Sequence, residues 1–222
     1  MNFDINLIVS RLPELAQGFG ITIVMWIAGT IGAALLGFII AIARRYGPLP
    51  LGILLRVYIE VIRGTPFLIQ LFLLYFGGPS IGLSLEPVPA GLIGITLYGA
   101  AYFAEIFRAG FEAVPHGHVE AAECVGFTRT QVVFRVLIPE MTMLVLPAAV
   151  NMTIVLAKDT AVLSIITVPE VTMVISAIGS EFYAFVESLF LLALFYWGLV
   201  ELCGKLGRTA ESKLSKYRFA AS

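Results

Sequence analysis

In a chain that is 59% hydrophobic and only 13% charged, the residues able to do chemistry are few. Glu60 and Arg63 stand three apart inside an apolar run, so on a helix both project to one side and can pair with each other. Counted along the helix rise from Leu51, Glu60 lies about 13 Å and Arg63 about 18 Å into that run, where an ionisable group costs several kcal/mol and is usually functional. Directly after them, Gly64-Thr65-Pro66 loosens the helix and removes a backbone hydrogen bond, so freed carbonyls can face a cavity. Farther on, Asn151 sits near the middle of another apolar run with Thr153 close by, and Lys158-Asp159-Thr160 closes it. An amide in lipid would be unsatisfied, so Asn151 must face protein or water. These groups suit binding rather than catalysis, and each has a plainer alternative. Glu60–Arg63 could be a structural salt bridge that locks two copies of the subunit, or the subunit and a sister, together, Asn151 a helix-to-helix hydrogen bond, and Lys158 a snorkelling anchor. His116 and His118 make a His-x-His pair, but the chain has no third histidine and no cysteine placed to complete a metal site.

The elements that position these residues follow from length and hydropathy. Ordinary soluble domains are roughly a quarter charged, so 222 residues of this composition could not hide their apolar surface in water; the solvent is lipid. A net charge of −1 leaves no nucleic-acid footprint. Cys124 and Cys203 read as unpaired thiols acting as small apolar residues. Asp4 precedes Arg11 and the first apolar run starts late and is too long for a signal core, so no removable leader is expected. A hydrocarbon core about 30 Å thick takes about 20 helical residues. The chain therefore reads as an all-α integral membrane protein with about five transmembrane helices, over 17–43, 51–76, 88–107, 141–157 and 182–206. Residues 1–16 form an outer amino-terminal segment, 17–207 the membrane domain and 208–222 a cytoplasmic tail.

Charge decides the awkward stretch 160–180, which is apolar but broken by Pro169-Glu170. With the amino terminus outside and five spans, Arg44, Arg45, Arg56, Arg108, Arg129, Arg135, Lys205, Arg208, Lys213, Lys216 and Arg218 lie at or near the cytoplasmic face. Only Arg11 and Lys158 fall near the outer face. A sixth span would throw the basic tail outside. The stretch therefore reads as short re-entrant helices that dip into the outer leaflet against protein.

The loop 111–140 is then cytoplasmic. Its helical core, roughly 117–126, carries Val119, Ala121, Ala122 and Val125 as a small apolar face flanked by Glu120 and Glu123. Gly126 lets the chain turn, and Pro139 starts the next hydrophobic run, where a missing amide hydrogen costs little. An interfacial helix lying on headgroups would instead show large aromatic and basic faces.

The stretch Glu120-Ala121-Ala122, with Gly126 and Ile138-Pro139 at these offsets, resembles the cytoplasmic loop of permease subunits of ATP-binding-cassette importers. Glu105-Ile106-Phe107-Arg108-Ala109-Gly110, Val114-Pro115-His116-Gly117-His118 and Tyr58 through Pro66 are similar to the branch that carries polar amino acids, and Lys158-Asp159-Thr160 resembles a signature of the same branch. The chain departs from that pattern at His116, His118 and Glu140. The resemblance implies a type I importer permease fold in a bacterial inner membrane. Its partners would be ATP-binding-cassette ATPase subunits, a second permease subunit, identical or related, and a periplasmic or extracellular amino-acid-binding protein.

Gly117, Glu120, Ala121, Ala122, Gly126 and Pro139 would form the ATPase-docking region. Glu60, Arg63, Thr65, Asn151, Lys158 and Asp159 would be candidates for the solute pathway. A zwitterionic amino acid needs an acceptor for its ammonium and a donor for its carboxylate, which Glu60 with Arg63 or Asp159 with Lys158 would supply. No Gly-x4-Gly-Lys-Ser/Thr phosphate loop occurs, so no cofactor is expected here, and ATP and Mg would sit on the partner ATPase. Competing expectations are an ATP-independent secondary transporter or channel, and a scaffold subunit without its own solute site.

Overall fold

The computed structural model describes residues 10–219. Asp4 and the rest of residues 1–9 lie outside the described residues, as do the side chains of Lys213, Lys216 and Arg218. Helix α1 covers Leu12–Tyr46, α2 Leu49–Gly64 and α3 Phe67–Phe72. The chain after α3 tightens through Leu73–Gly77 and Gly78–Ile81. Helix α4 covers Pro87–Ala113, α5 His116–Cys124, α6 Arg129–Val132, α7 Ile138–Asp159, α8 Val171–Glu181 and α9 Phe185–Phe219. Four stretches are long and apolar enough to cross a bilayer, and the pair α2 with 67–81, bent by 110°, makes a fifth. Among the described residues there is no strand.

Helix α1 is apolar on every side, and what distinguishes its faces is size. Gly29, Ala33, Gly37 and Ala41 recur every four residues and are buried, while Ile27, Ile31, Leu35 and Ile39 are exposed. The small stripe lets α1 press onto α4, where Gly99 and Ala100 answer it. A Cβ on Gly37 would stand 2.9 Å from both the Ala100 oxygen and the Ala104 nitrogen. The α1–α4 pair is the platform on which α2, α7 and α8 rest.

The second span is not one straight helix over 51–76. Pro66 lacks the amide hydrogen that would continue α2, and Thr65 is extended. Gln70 mends the break, its Nε2 donating to the Ile62 and Thr65 carbonyls at 2.7 and 2.9 Å and to Thr65 Oγ1 at 2.8 Å. Most other bounds move outward, and the start of the last span moves inward. The third span continues to Ala113, so Glu105, Arg108 and Glu112 all lie on one helix. The fourth starts at Ile138 with Pro139 in its first turn. The last begins at Phe185, after Tyr183 turns the chain with φ 55, and stays helical to Phe219.

Residues 160–181 form a tight 3-10 turn, Thr160–Ile166, and the 11-residue α8, too short to span. Thr167 reverses the chain with φ 63. Glu170, with no exposed surface, caps α8 by accepting from the Thr172 and Met173 amides at 2.9 Å, and Tyr196 approaches at 3.3 Å from α9. Burial pushes its carboxyl above the ordinary value while these donors pull it back. The Val171 amide donates to Thr22 Oγ1 at 3.0 Å, tying the segment to α1. The stretch thus rests on protein.

Candidate functional site

The loop 111–140 builds one feature, a short helix with one face turned outward. Val114-Pro115 stops α4, and α5 runs from His116 to Cys124. It ends in a Schellman turn: the Phe127 amide reaches the Ala122 carbonyl and the Gly126 amide the Glu123 carbonyl, both at 3.0 Å, with Gly126 at φ 85. Phe127 then packs beside Val119, Ala122 and Val132 against the body, which fixes the pitch of α5. Thr128 caps α6 reciprocally with Gln131. Of the four residues expected to share one apolar face, Ala122 is buried and Val119 half-buried, whereas Ala121 and Val125 are exposed. The helical period separates them, so the outward face is Gly117, Glu120, Ala121 and Val125. Pro139 is exposed at the start of α7. His118 and Glu140, both departures from the resembled pattern, meet at 2.8 Å and join α5 to α7.

The second feature is a cavity of about 850 Å³ between the ends of α1, α2 and α4. Arg44, Arg45, Arg56, Glu60, Arg63, Tyr102, Glu105, Arg108 and Glu112 supply its charged and polar groups. Glu60 and Arg63 both line it, but they do not pair. Arg63 reaches across to α4, its Nη1 3.9 Å from Glu105 Oε2 and its guanidinium 5.4 Å from the Tyr102 ring centroid. Among the described residues Glu60 has no ion-pair partner. Glu105 is the hub instead: Arg44 donates to Oε1, and Arg108 donates to Oε2 through Nε at 3.0 Å and Nη2 at 2.8 Å. Arg108 also holds Glu112 at 2.7 Å.

A second cavity of about 480 Å³ lies between α4 and α7, lined by Leu144, Val145 and Ala148 on one side. Its other side is again Arg63, Tyr102, Glu105 and Arg108. Thr65 is bound up in the helix break through its bond to the Val61 carbonyl at 2.8 Å. Asn151 and Lys158 are exposed on α7 and line neither cavity. Asp159 also lines neither, though among the described residues its Oδ2 is buried without a hydrogen-bond partner. Tyr98 and Tyr102 approach each other at 3.4 Å. Tyr98, Tyr102, Glu105, Arg108 and Glu112 therefore make a polar stripe along α4, spaced four, three, three and four apart. That spacing is the signal by which the hub could have been found without coordinates.

Residues 33–206 match the family described as binding-protein-dependent transport system inner membrane component. The chain is 36% identical over 219 residues to a probable amino-acid ABC transporter permease protein, PatM, of Vibrio harveyi, covering 97% of this chain and 98% of that one. It is 34% identical over 206 residues to the L-cystine transport system permease protein TcyB of Bacillus subtilis (strain 168), covering 92% and 88%. It is 30% identical over 215 residues to the arginine transport system permease protein ArtQ of the same organism, covering 96% and 98%. A solved amino acid ABC transporter with histidines superposes with TM-score 0.89 at 32% identity, over 96% of this chain and 100% of the other. The methionine ABC transporter MetNI superposes with TM-score 0.70 at 19% identity, over 95% and 99%, a likeness of fold alone.

Proposed function

The chain belongs to the family of binding-protein-dependent transport system inner membrane components, and from that premise we propose how it works as the membrane permease subunit of an ATP-driven amino-acid importer. It is a multi-pass membrane protein and not itself an enzyme; hydrolysis belongs to a separate ATPase subunit. Its family places it beside ATPase subunits, a second permease and a binding protein. The finer reading is that α5, through Gly117, Glu120 and Ala121, seats in a cleft of the ATPase, which carries the ATP and Mg. Gly126 sets the angle of that helix, and Ala122 anchors it inward. Closure of the ATPase pair would push α5, and with it α4, so that the permease alternates its access.

The observation that carries this reading is the whole-chain match to amino-acid permeases together with a short, outward-facing helix at the end of α4. The solute is a polar amino acid delivered by a periplasmic or extracellular binding protein. Its route passes the cavity of Glu60 and Arg63, with Thr65, Asn151, Lys158 and Asp159 farther along. Purified complex in liposomes, supplied with its binding protein, should take up at least one labelled amino acid from a panel in an ATP-dependent manner. Uptake that persists without ATP would overturn the reading in favour of a secondary carrier.

We further infer that the amino terminus is outside and the tail inside. Arg44, Arg45 and Arg108 gather at one end of α1 and α4, while Arg11 pairs with Glu181 at 2.7 Å at the other. Lysine and arginine excess marks the cytoplasmic side. A cysteine introduced at Ser215 should resist an impermeant thiol reagent in intact cells and react once the membrane is opened. Labelling from outside would reverse the orientation.

A further inference from the structure

We propose that Glu105 is a positioning residue of the transport cycle, the clasp of a movable wall between the two cavities. This rests on reading the chain as a permease subunit and adds a role that the docking loop and the solute candidates do not assign. Four residues, Arg63, Tyr102, Glu105 and Arg108, line both cavities, so a single layer of side chains separates them. That layer is assembled from two helices, α2 and α4, and Glu105 ties it to a third, α1, through Arg44. Around the clasp three guanidinium groups face the two carboxylates Glu105 and Glu112, leaving one positive charge in excess.

The excess falls on Arg63. Arg44 and Arg108 hold Glu105 by hydrogen bonds, whereas Arg63 touches it only at 3.9 Å, rests on the Tyr102 ring and keeps 45% of its side chain exposed. Arg63 is the arm free to leave, and it stands one residue before Gly64, where α2 gives way to the 110° bend. Glu105 is on the helix that leads directly into α5. A push on α5 therefore moves α4 and Glu105 with it relative to α2, and the wall parts on the Arg63 side while Arg44 and Arg108 keep the carboxylate neutralised. Solute passes when the two cavities join.

The test uses the assembled permease–ATPase complex, with Cys124→Ser and Cys203→Ser removing the native thiols and Val145→Cys placed at a buried position that lines the second cavity and not the first. The probe is a charged maleimide, and the measured quantity is its rate of reaction at position 145 without ATP. In Glu105→Gln the rate should rise about tenfold, the weight of one charge-assisted contact, and more ATP should be hydrolysed per amino acid imported. Glu105→Asp should fall between. Should Glu105→Gln fail to assemble, Arg63→Gln removes only the loose contact and should raise the same rate by a smaller factor. An unchanged labelling rate in either assembled variant overturns the clasp. Labelling needs no transport, so a complex that imports no amino acid sinks the function while this result stands by itself.

Discussion

Gly37→Val should abolish accumulation of folded subunit in the membrane. The Cβ that valine brings would sit 2.6 Å from Phe103 Cβ and 2.9 Å from two backbone atoms of α4. Backbone cannot rotate away as a side-chain tip can, so α1 must lift off α4 along the stripe of Gly29, Ala33, Gly37 and Ala41. Overpacking costs about 1–3 kcal/mol even where neighbours can yield, against a total stability of about 5–15 kcal/mol. Here the platform for the other helices is lost with it. Gly20→Ala, where the new Cβ meets nothing within 4 Å, should be silent in the same assay. Detergent-extracted complex, quantified by gel filtration, gives the answer. Wild-type yield for Gly37→Val would mean that the α1–α4 contact is not the organising one.

Gly126→Val should spare insertion but uncouple the machine. No atom lies within 4 Å of a Cβ built on Gly126, so nothing is crowded out; the effect is entirely backbone. At φ 85 an L-residue costs roughly 1–2 kcal/mol, and a branched side chain more. The Schellman turn would open, Phe127 would leave its seat beside Ala122, and α5 would present its outer face at another angle. Transport and the ATP hydrolysis stimulated by loaded binding protein should fall together by about tenfold, with assembly of the spans unchanged. Gly126→Asn, which tolerates the left-handed region better, should retain more of both. Normal stimulation in Gly126→Val would remove α5 from the docking role.

What could be read from residues alone, and what could not, divides along sequence separation. The turn at Gly126, the helix start at Pro139 and the break at Gly64-Thr65-Pro66 depend on neighbours within a few positions, and all three lie where local chemistry puts them. For stretch 160–180, charge and the Pro169-Glu170 interruption both argue against a span, and the structure gives it a tight turn followed by one 11-residue helix. The pairing of Arg63 was not legible. Three residues of spacing point to Glu60, yet the guanidinium crosses to Glu105, 42 positions away, because α2 leans on α4 and offers it both a carboxylate and a ring. The apolar face of α5 was overdrawn for a related reason. On a 3.6-residue period Ala121 and Val125 lie about 160° and about 120° round the helix from Val119, so with Val119 and Ala122 turned inward those two face outward.

The bent second span also bears on how this protein is made. Helix α2 has sixteen residues, about 24 Å of helix against a hydrocarbon core of about 30 Å, and it carries Arg56, Glu60 and Arg63. The other arm, Phe67–Ile81, is no longer than α2, and only its first six residues are regular α-helix. Neither arm has enough apolar length to leave the translocation channel for lipid unaided. Both find their shelter against α4, which the ribosome has not yet released when they emerge. The second span is therefore first in line after α1 but cannot settle until α4 follows it, so entry into the bilayer runs out of chain order. Truncation within α4 should accordingly leave α1 anchored and the residues of α2 accessible to protease.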